Sequence, residues 1–143
     1  MQISTILKSK GPSVATIGRD ATVAAAVAEL ARHNVGALVV SSDGRTVEGI
    51  VSERDVARAL DSFGGAILEK PIRTIMSSEV QTVSPDEEVE SLAVIMTEYR
   101  IRHVPVLMDG ALAGIVSIGD VVKSRIEELE QDRDALVKYI SAR

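Results

Sequence analysis

The sequence predicts a mixed α/β (α+β) fold made of two tandem β-α-β-β-α units related by pseudo-twofold symmetry, with a long helix at the end. Three observations carry this. The phrase GIVSERD (49–55) returns as GIVSIGD (114–120). A shift of 66 lays VATIGRDATV (14–23) on VQTVSPDEEV (80–89), with Val14/Val80, Thr16/Thr82, Asp20/Asp86 and Val23/Val89 identical. The same shift superimposes Asp43-Gly44 on Asp109-Gly110, after which one residue is missing from the second copy. A deletion beside a turn is what a loop tolerates, so the chain reads as a tandem duplication.

Each copy opens with a short strand (14–17 and 80–83). A helix follows, starting after Thr22 in the first copy and near Asp86 in the second, where Pro85 and three acids suit a helix amino terminus. Val23, Val27, Leu30 and Ala31 form one apolar stripe, repeated by Val89, Leu92, Ala93 and Met96. ALVVSSDGRTVEGIVS and VPVLMDGALAGIVS each read as strand, Asp-Gly turn, strand. A second helix begins at about Glu53 and at about Gly119. Such a unit leaves one face apolar, so two copies are expected to stack and share an aliphatic core. ISTIL (3–7) and IRTIM (72–76) are alike, which places a small helix before each copy.

The segmentation is therefore a single module over 1–143: a first repeat at 3–63, a linker with a short helix at 64–78, a second repeat at 79–125, and a helical extension at 126–143. In that extension Val122, Ile126, Leu129, Leu136 and Ile140 keep a 3- to 4-residue rhythm, broken by Arg133. A lone helix of this length is marginal in water. Its stripe is expected to pack on a partner subunit; a frayed, solvated end is the alternative.

Composition narrows the class. The chain is 45% hydrophobic but 2% aromatic, so its core is aliphatic. With no Cys, neither disulfides nor thiolate metal sites are available, and a cytoplasmic setting is expected. No apolar run reaches the roughly 18 residues of a membrane span, and the first residues lack a signal-peptide layout. A net charge of −5 argues against nucleic-acid binding, which needs phosphate-neutralising Lys and Arg. No G-x-S-x-G, H-E-x-x-H, P-loop or metal-ligand cluster is present, and the only histidines are His33 and His103. No catalytic activity is expected.

The doubled β-α-β-β-α order, the IRHVPVLMDG segment (101–110) and the Gly-hydrophobic-hydrophobic-Ser-x-x-Asp phrase closing each hairpin resemble the CBS domain family, named after cystathionine β-synthase. The resemblance covers about residues 3 to 125 and implies a stand-alone pair of CBS motifs, a Bateman module. It implies adenosine-containing ligands in the cleft between motifs, with AMP foremost, ATP, ADP or NAD(H) next and S-adenosylmethionine after them. It also implies a homodimer that signals to a separate, unidentified protein.

The residues fit that chemistry. Asp55 and Asp120 stand three residues beyond Ser52 and Ser117, in the first turn of a helix. A carboxylate there accepts hydrogen bonds from ribose hydroxyls, while the helix amino terminus and a Ser hydroxyl suit phosphate. Each Ser and Asp could equally be a helix cap. Arg54 can reach a phosphate or remain beside Glu53; its counterpart is Gly119, so the two sites are expected to differ. Arg102 and His103 are candidates for phosphate contact or base stacking. Their counterparts Gly36 and Ala37 leave space for a base, or mark close backbone packing. Thr16 and Thr82 lie where the resemblance puts main chain near the adenine edge, though both also simply favour strands.

Overall fold

The computed structural model describes residues 1–11 and 13–142. The first repeat follows a short helix, α1 (Ile3–Lys10). It comprises β1 (Thr16–Ile17), α2 (Val23–His33), β2 (Ala37–Val40), β3 (Gly49–Ser52) and α3 (Glu53–Phe63). Two 3-10 turns, Gly65–Glu69 and Ile72–Thr74, form the linker. Then come α4 (Val89–Tyr99), β4 (His103–Met108), β5 (Ala111–Ser117) and α5 (Ile118–Ser141). The first sheet runs β1-β2-β3, with β1 parallel to β2 and β2 antiparallel to β3; the second is the antiparallel pair β4-β5.

Local chemistry explains where the repeats agree and where they part. Helix α2 starts where Thr22 accepts a hydrogen bond from the Ala25 N–H at 3.1 Å, and ends at Asn34 in the left-handed conformation (φ 52°). Its counterpart α4 begins at Val89, three residues later than the expected start near Asp86. Ser84 and Glu87 close a turn of their own: the Ser84 N–H donates to the Glu87 carboxylate at 2.6 Å, and the Glu87 N–H donates to the Ser84 carbonyl at 3.2 Å. The strand expected at 80–83 shrinks to a single bridge, Val83 to Val106.

The two Asp-Gly pairs also behave differently. Asp109 and Gly110 both have positive φ (53° and 78°) and make the tight two-residue turn expected between β4 and β5. The first Asp-Gly is not a tight turn. The Asp43 carboxylate accepts the N–H groups of Arg45 (2.8 Å) and Thr46 (2.7 Å), ordering a wider loop between Val40 and Gly49. Those donors hold its pKa far below the usual carboxylate range.

The core is not shared between the repeats as expected. One cluster gathers Val89, Leu92, Met96, Val104, Val106 and Val116 of the second repeat around Ile3 and Ile6 of α1. Two others gather the first repeat around the linker: Ala26, Leu30, Leu38 and Val51 with Ile72, and Val23, Val56 and Ala59 with Ile67. The leading segments are thus crossed over: α1 covers the second repeat, and the linker covers the first. Each buried Ile contributes roughly 1.5–3 kcal/mol. The crossing is tight at two matching glycines. A Cβ on Gly114 would lie 2.5 Å from Leu7 Cδ2, and one on Gly49 would lie 2.8 Å from Met76 Sδ. Gly is required at 49, where the Ser77 backbone carbonyl would also lie at 2.8 Å, whereas at 114 a Cβ would force the end of the Leu7 side chain to shift.

Helix α5 is one continuous element of 24 residues, about 36 Å long, so the extension grows directly out of the second repeat. Val121 and Ser124 face the body. The opposite stripe of Val122, Ile126, Leu129, Leu136 and Ile140 is exposed.

Candidate ligand cleft between the repeats

Both phrases build the same cap. The Ser52 N–H donates to Asp55 Oδ2 at 2.8 Å, and the Asp55 N–H donates to Ser52 Oγ at 3.2 Å. In the second repeat the Ser117 N–H donates to Asp120 Oδ2 at 2.8 Å, and the Asp120 N–H donates to Ser117 Oγ at 3.1 Å. Both are capping boxes. Capping and ligand binding are therefore not alternatives at Asp55. The cap uses Oδ2 alone, and Oδ1 has no hydrogen-bond partner among the described residues. The Ser52 hydroxyl is less available, since it already donates to Asp55 Oδ2 at 3.0 Å.

A cleft of about 360 Å³ opens beside this cap, with walls from both repeats. Gly36, Ala37, Ser52, Arg54 and Asp55 come from the first repeat and Arg102 and His103 from the second, so seven sequence candidates meet in one place. Glu53, Arg58, Tyr99 and Arg100 also line it and are not among the sequence's site candidates. Arg58 had a signal, lying one helical turn beyond Arg54 on the same face of α3. Arg100 had one too, standing with Arg102 and His103 at the start of the second hairpin as a positive edge; it closes α4 in the left-handed conformation (φ 53°) and lines the cleft. Arg54, Arg58, Arg100 and Arg102 make no ion pair among the described residues and stand against two acids, Glu53 and Asp55.

Other candidates fall elsewhere. Thr16 pairs with Val39 in the first sheet and Thr82 precedes the Val83 bridge; neither lines the cleft. Ser117 and Asp120 lie outside it as well. Asp120 faces a separate hollow of about 90 Å³ with Lys10 and Lys123, where Lys10 Nζ donates to its Oδ2 at 2.7 Å. Burial raises the Asp120 pKa, but the Lys10 and Ser117 hydrogen bonds outweigh it and the net shift is downward.

His103, paired with Ser117 across β4-β5, leans over Gly36. A Cβ at Gly36 would meet Glu53 Oε1 at 2.8 Å and His103 Cε1 at 3.1 Å. The small residue at 36 thus serves close packing rather than an empty slot. Burial lowers the His103 pKa, reinforced by Lys10 and Arg102 and opposed by Glu53 and Asp120. The carboxylates acting on the ring come from both repeats' second helices, Glu53 from the first and Asp120 from the second.

This fold and cleft define a class: a duplicated α/β unit with a hollow between the copies, beside a helix amino terminus, a half-free carboxylate and four guanidinium groups. The chain belongs to the CBS domain family, which matches it twice, over residues 9–62 and 72–127. It is similar to the CBS-domain containing protein ATU1752 from Agrobacterium tumefaciens, at 40% identity and TM-score 0.84, covering 87% of this chain and 99% of that one. It is also similar to the CBS domain protein PAE2072 from Pyrobaculum aerophilum complexed with AMP, at 32% identity and TM-score 0.75, covering 84% and 89%. The CBS domain pair of protein MJ0100, in complex with 5-methylthioadenosine and S-adenosyl-L-methionine, matches at 28% identity and TM-score 0.79, covering 90% and 98%. Among the described residues no helix is long and apolar enough to cross a membrane.

Proposed function

We propose that this chain is a non-catalytic, cytoplasmic regulatory module that binds a phosphorylated adenosine in the first cleft and signals the occupancy to a separate protein. One observation supports it most. Among the described residues, four guanidinium groups without carboxylate partners share a cleft with the unpaired Oδ1 of Asp55. The carboxylate suits vicinal ribose hydroxyls, and the guanidinium groups suit phosphate, which they bind in bidentate fashion. With two acids against four arginines, the cleft carries an excess of positive charge that an anion satisfies. AMP, ADP and ATP meet that requirement, as does the pyrophosphate of NAD(H). Uncharged methylthioadenosine leaves the guanidinium groups without a partner, and the sulfonium of S-adenosylmethionine adds a cation to them.

The output is a population shift. Residues 36–58 and 99–103 belong to different repeats, so a ligand touching both favours the closed arrangement by its differential affinity for the two states. The exposed stripe on α5 serves a homodimer in this reading, and that dimer is the surface whose shape the ligand alters. A second reading makes dimerisation the whole function, with a vestigial cleft; the same stripe favours it.

Thermal unfolding of nucleotide-free protein against AMP, ADP, ATP, NAD⁺, NADH, methylthioadenosine and S-adenosylmethionine separates the two. A ligand at 100 times its dissociation constant adds about 2.7 kcal/mol to the native state, a shift of several degrees at this size. Stabilisation by the phosphorylated adenosines alone is expected. No shift with any of them favours the interaction protein, and a shift confined to S-adenosylmethionine overturns the charge argument.

A further inference from the structure

The two repeats have the same frame but treat their helix-cap carboxylates differently. In the first, the Ile50 carbonyl accepts the Ser77 N–H of the linker at 3.0 Å, and Asp55 meets no cation among the described residues. In the second, the matching Ile115 carbonyl accepts Lys10 Nζ at 2.7 Å, and the same ammonium donates to Asp120 Oδ2 at 2.7 Å. A backbone N–H in one copy has been replaced by a charged side chain in the other. Around that side chain the space differs about fourfold: about 90 Å³ beside Asp120 against about 360 Å³ beside Asp55. The smaller figure is below the roughly 300 Å³ at which small-molecule sites begin.

Lys10 is not a loose surface lysine. It ends α1, whose Ile3 and Ile6 are buried in the second repeat's core and whose Leu7 presses on Gly114. The crossover of leading segments thus delivers the ammonium to Asp120. Other differences point the same way. Gly119 stands where the first repeat has Arg54, and Arg102 and His103 stand where it has Gly36 and Ala37.

We infer that Lys10, anchored on the capping oxygen Oδ2 of Asp120 and on the Ile115 carbonyl, is a built-in occupant of the space beside the second repeat's carboxylate, so that the chain takes up one nucleotide rather than two. A ligand entering there must break both bonds of the ammonium and leave the Ile115 carbonyl unpaired, with no Arg54 counterpart to hold its phosphate. The inference rests on the nucleotide reading of the first cleft.

Isothermal titration with AMP separates the two. Wild type is expected to bind one AMP per chain. Lys10→Met, which gives the segment an apolar side chain like that of Met76 in the linker, is expected to keep that affinity within about twofold. It should also gain a second event, weaker by about tenfold or more because Gly119 offers no guanidinium. Lys10→Gln is expected to behave alike, so a folding defect in one variant does not decide the outcome; thermal melts verify both. Adding Asp120→Asn to Lys10→Met should return the count to one. Two sites in wild type, or a count of one in both folded Lys10 variants, overturns the role of Lys10. Loss of all binding in folded Lys10→Met makes Lys10 a ligand contact and also overturns it. Absence of heat with wild type overturns the nucleotide reading beneath it.

Discussion

Asp55→Ala tests cap and ligand roles together, because the structure assigns them to different oxygens. Removing Oδ2 deletes the bonds from the Ser52 N–H and Oγ, at 2.8 and 3.0 Å. Loss of such a cap costs about 1 kcal/mol, or roughly 4 °C in Tm for a domain of this size. Removing Oδ1 deletes the acceptor for ribose. Hydrogen bonds to a charged group contribute about 2 kcal/mol, which raises Kd about 30-fold. At an AMP concentration of 100 times the wild-type Kd, ligand stabilisation then falls from about 2.7 to about 0.9 kcal/mol. Ser117→Ala is the comparator. It removes the matching cap, in which Ser117 Oγ accepts the Asp120 N–H at 3.1 Å, but lies outside the cleft. Chemical denaturation with and without AMP should show both variants losing about 1 kcal/mol without ligand. Only Asp55→Ala should lose the AMP increment. If Asp55→Ala keeps the full increment, or Ser117→Ala loses it, the assignment of Asp55 to the ribose is wrong.

The depressed pKa of His103 makes stability pH-dependent: as pH falls through the unfolded value near 6.5, the unfolded chain takes up a proton that the folded ring resists. Stability is therefore full above about pH 6.5 and lost as pH falls toward the lower folded value. His103→Gln should flatten the curve below about pH 6.5, and parallel curves from denaturant titrations would refute the burial argument. Gly114→Ala should destabilise by about 1–3 kcal/mol, since the new methyl meets Leu7 Cδ2 at 2.5 Å. Leu7→Ala in the same chain should recover part of that loss, and failure to recover any would place the strain elsewhere. Ile126→Glu with Leu129→Glu should convert a dimer to a monomer by light scattering, because both side chains are more than half exposed in the single chain. A wild-type monomer at micromolar concentration would remove the role given to the stripe.

What the sequence made legible is whatever both repeats say in the same local words. Ser52/Asp55 and Ser117/Asp120 are caps of three-residue reach, so their chemistry is complete within the phrase that spells it. The hairpin at Asp109-Gly110 is legible for the same reason. Where a competing local bond existed, the reading slipped: the Ser84–Glu87 turn displaced a helix start that Pro85 and the acids favoured, and the Asp43 carboxylate opened a loop that Asp-Gly had suggested was tight. The likeness of ISTIL and IRTIM showed that each repeat has a leading segment, but no local rule says which repeat that segment covers. The crossover is decided by shape, with Leu7 over Gly114 and Met76 over Gly49.

The sequence predicts from Arg54 and Gly119 that the two sites differ, but that crossover is why it could not name Lys10 as the group that sets them apart. Lys10 and Asp120 are 110 residues apart, and nothing near either names the other. Duplication gives two copies of a frame, and the frame is stable only if the caps, the glycines and the aliphatic core remain in both. Positions that do not support the frame are free to diverge, and they are the ones that choose a ligand: Arg54 against Gly119, Ala37 against His103, and the Ser77 N–H against the Lys10 ammonium. Similar motifs therefore mark where a ligand fits, while the differences between them decide whether one enters.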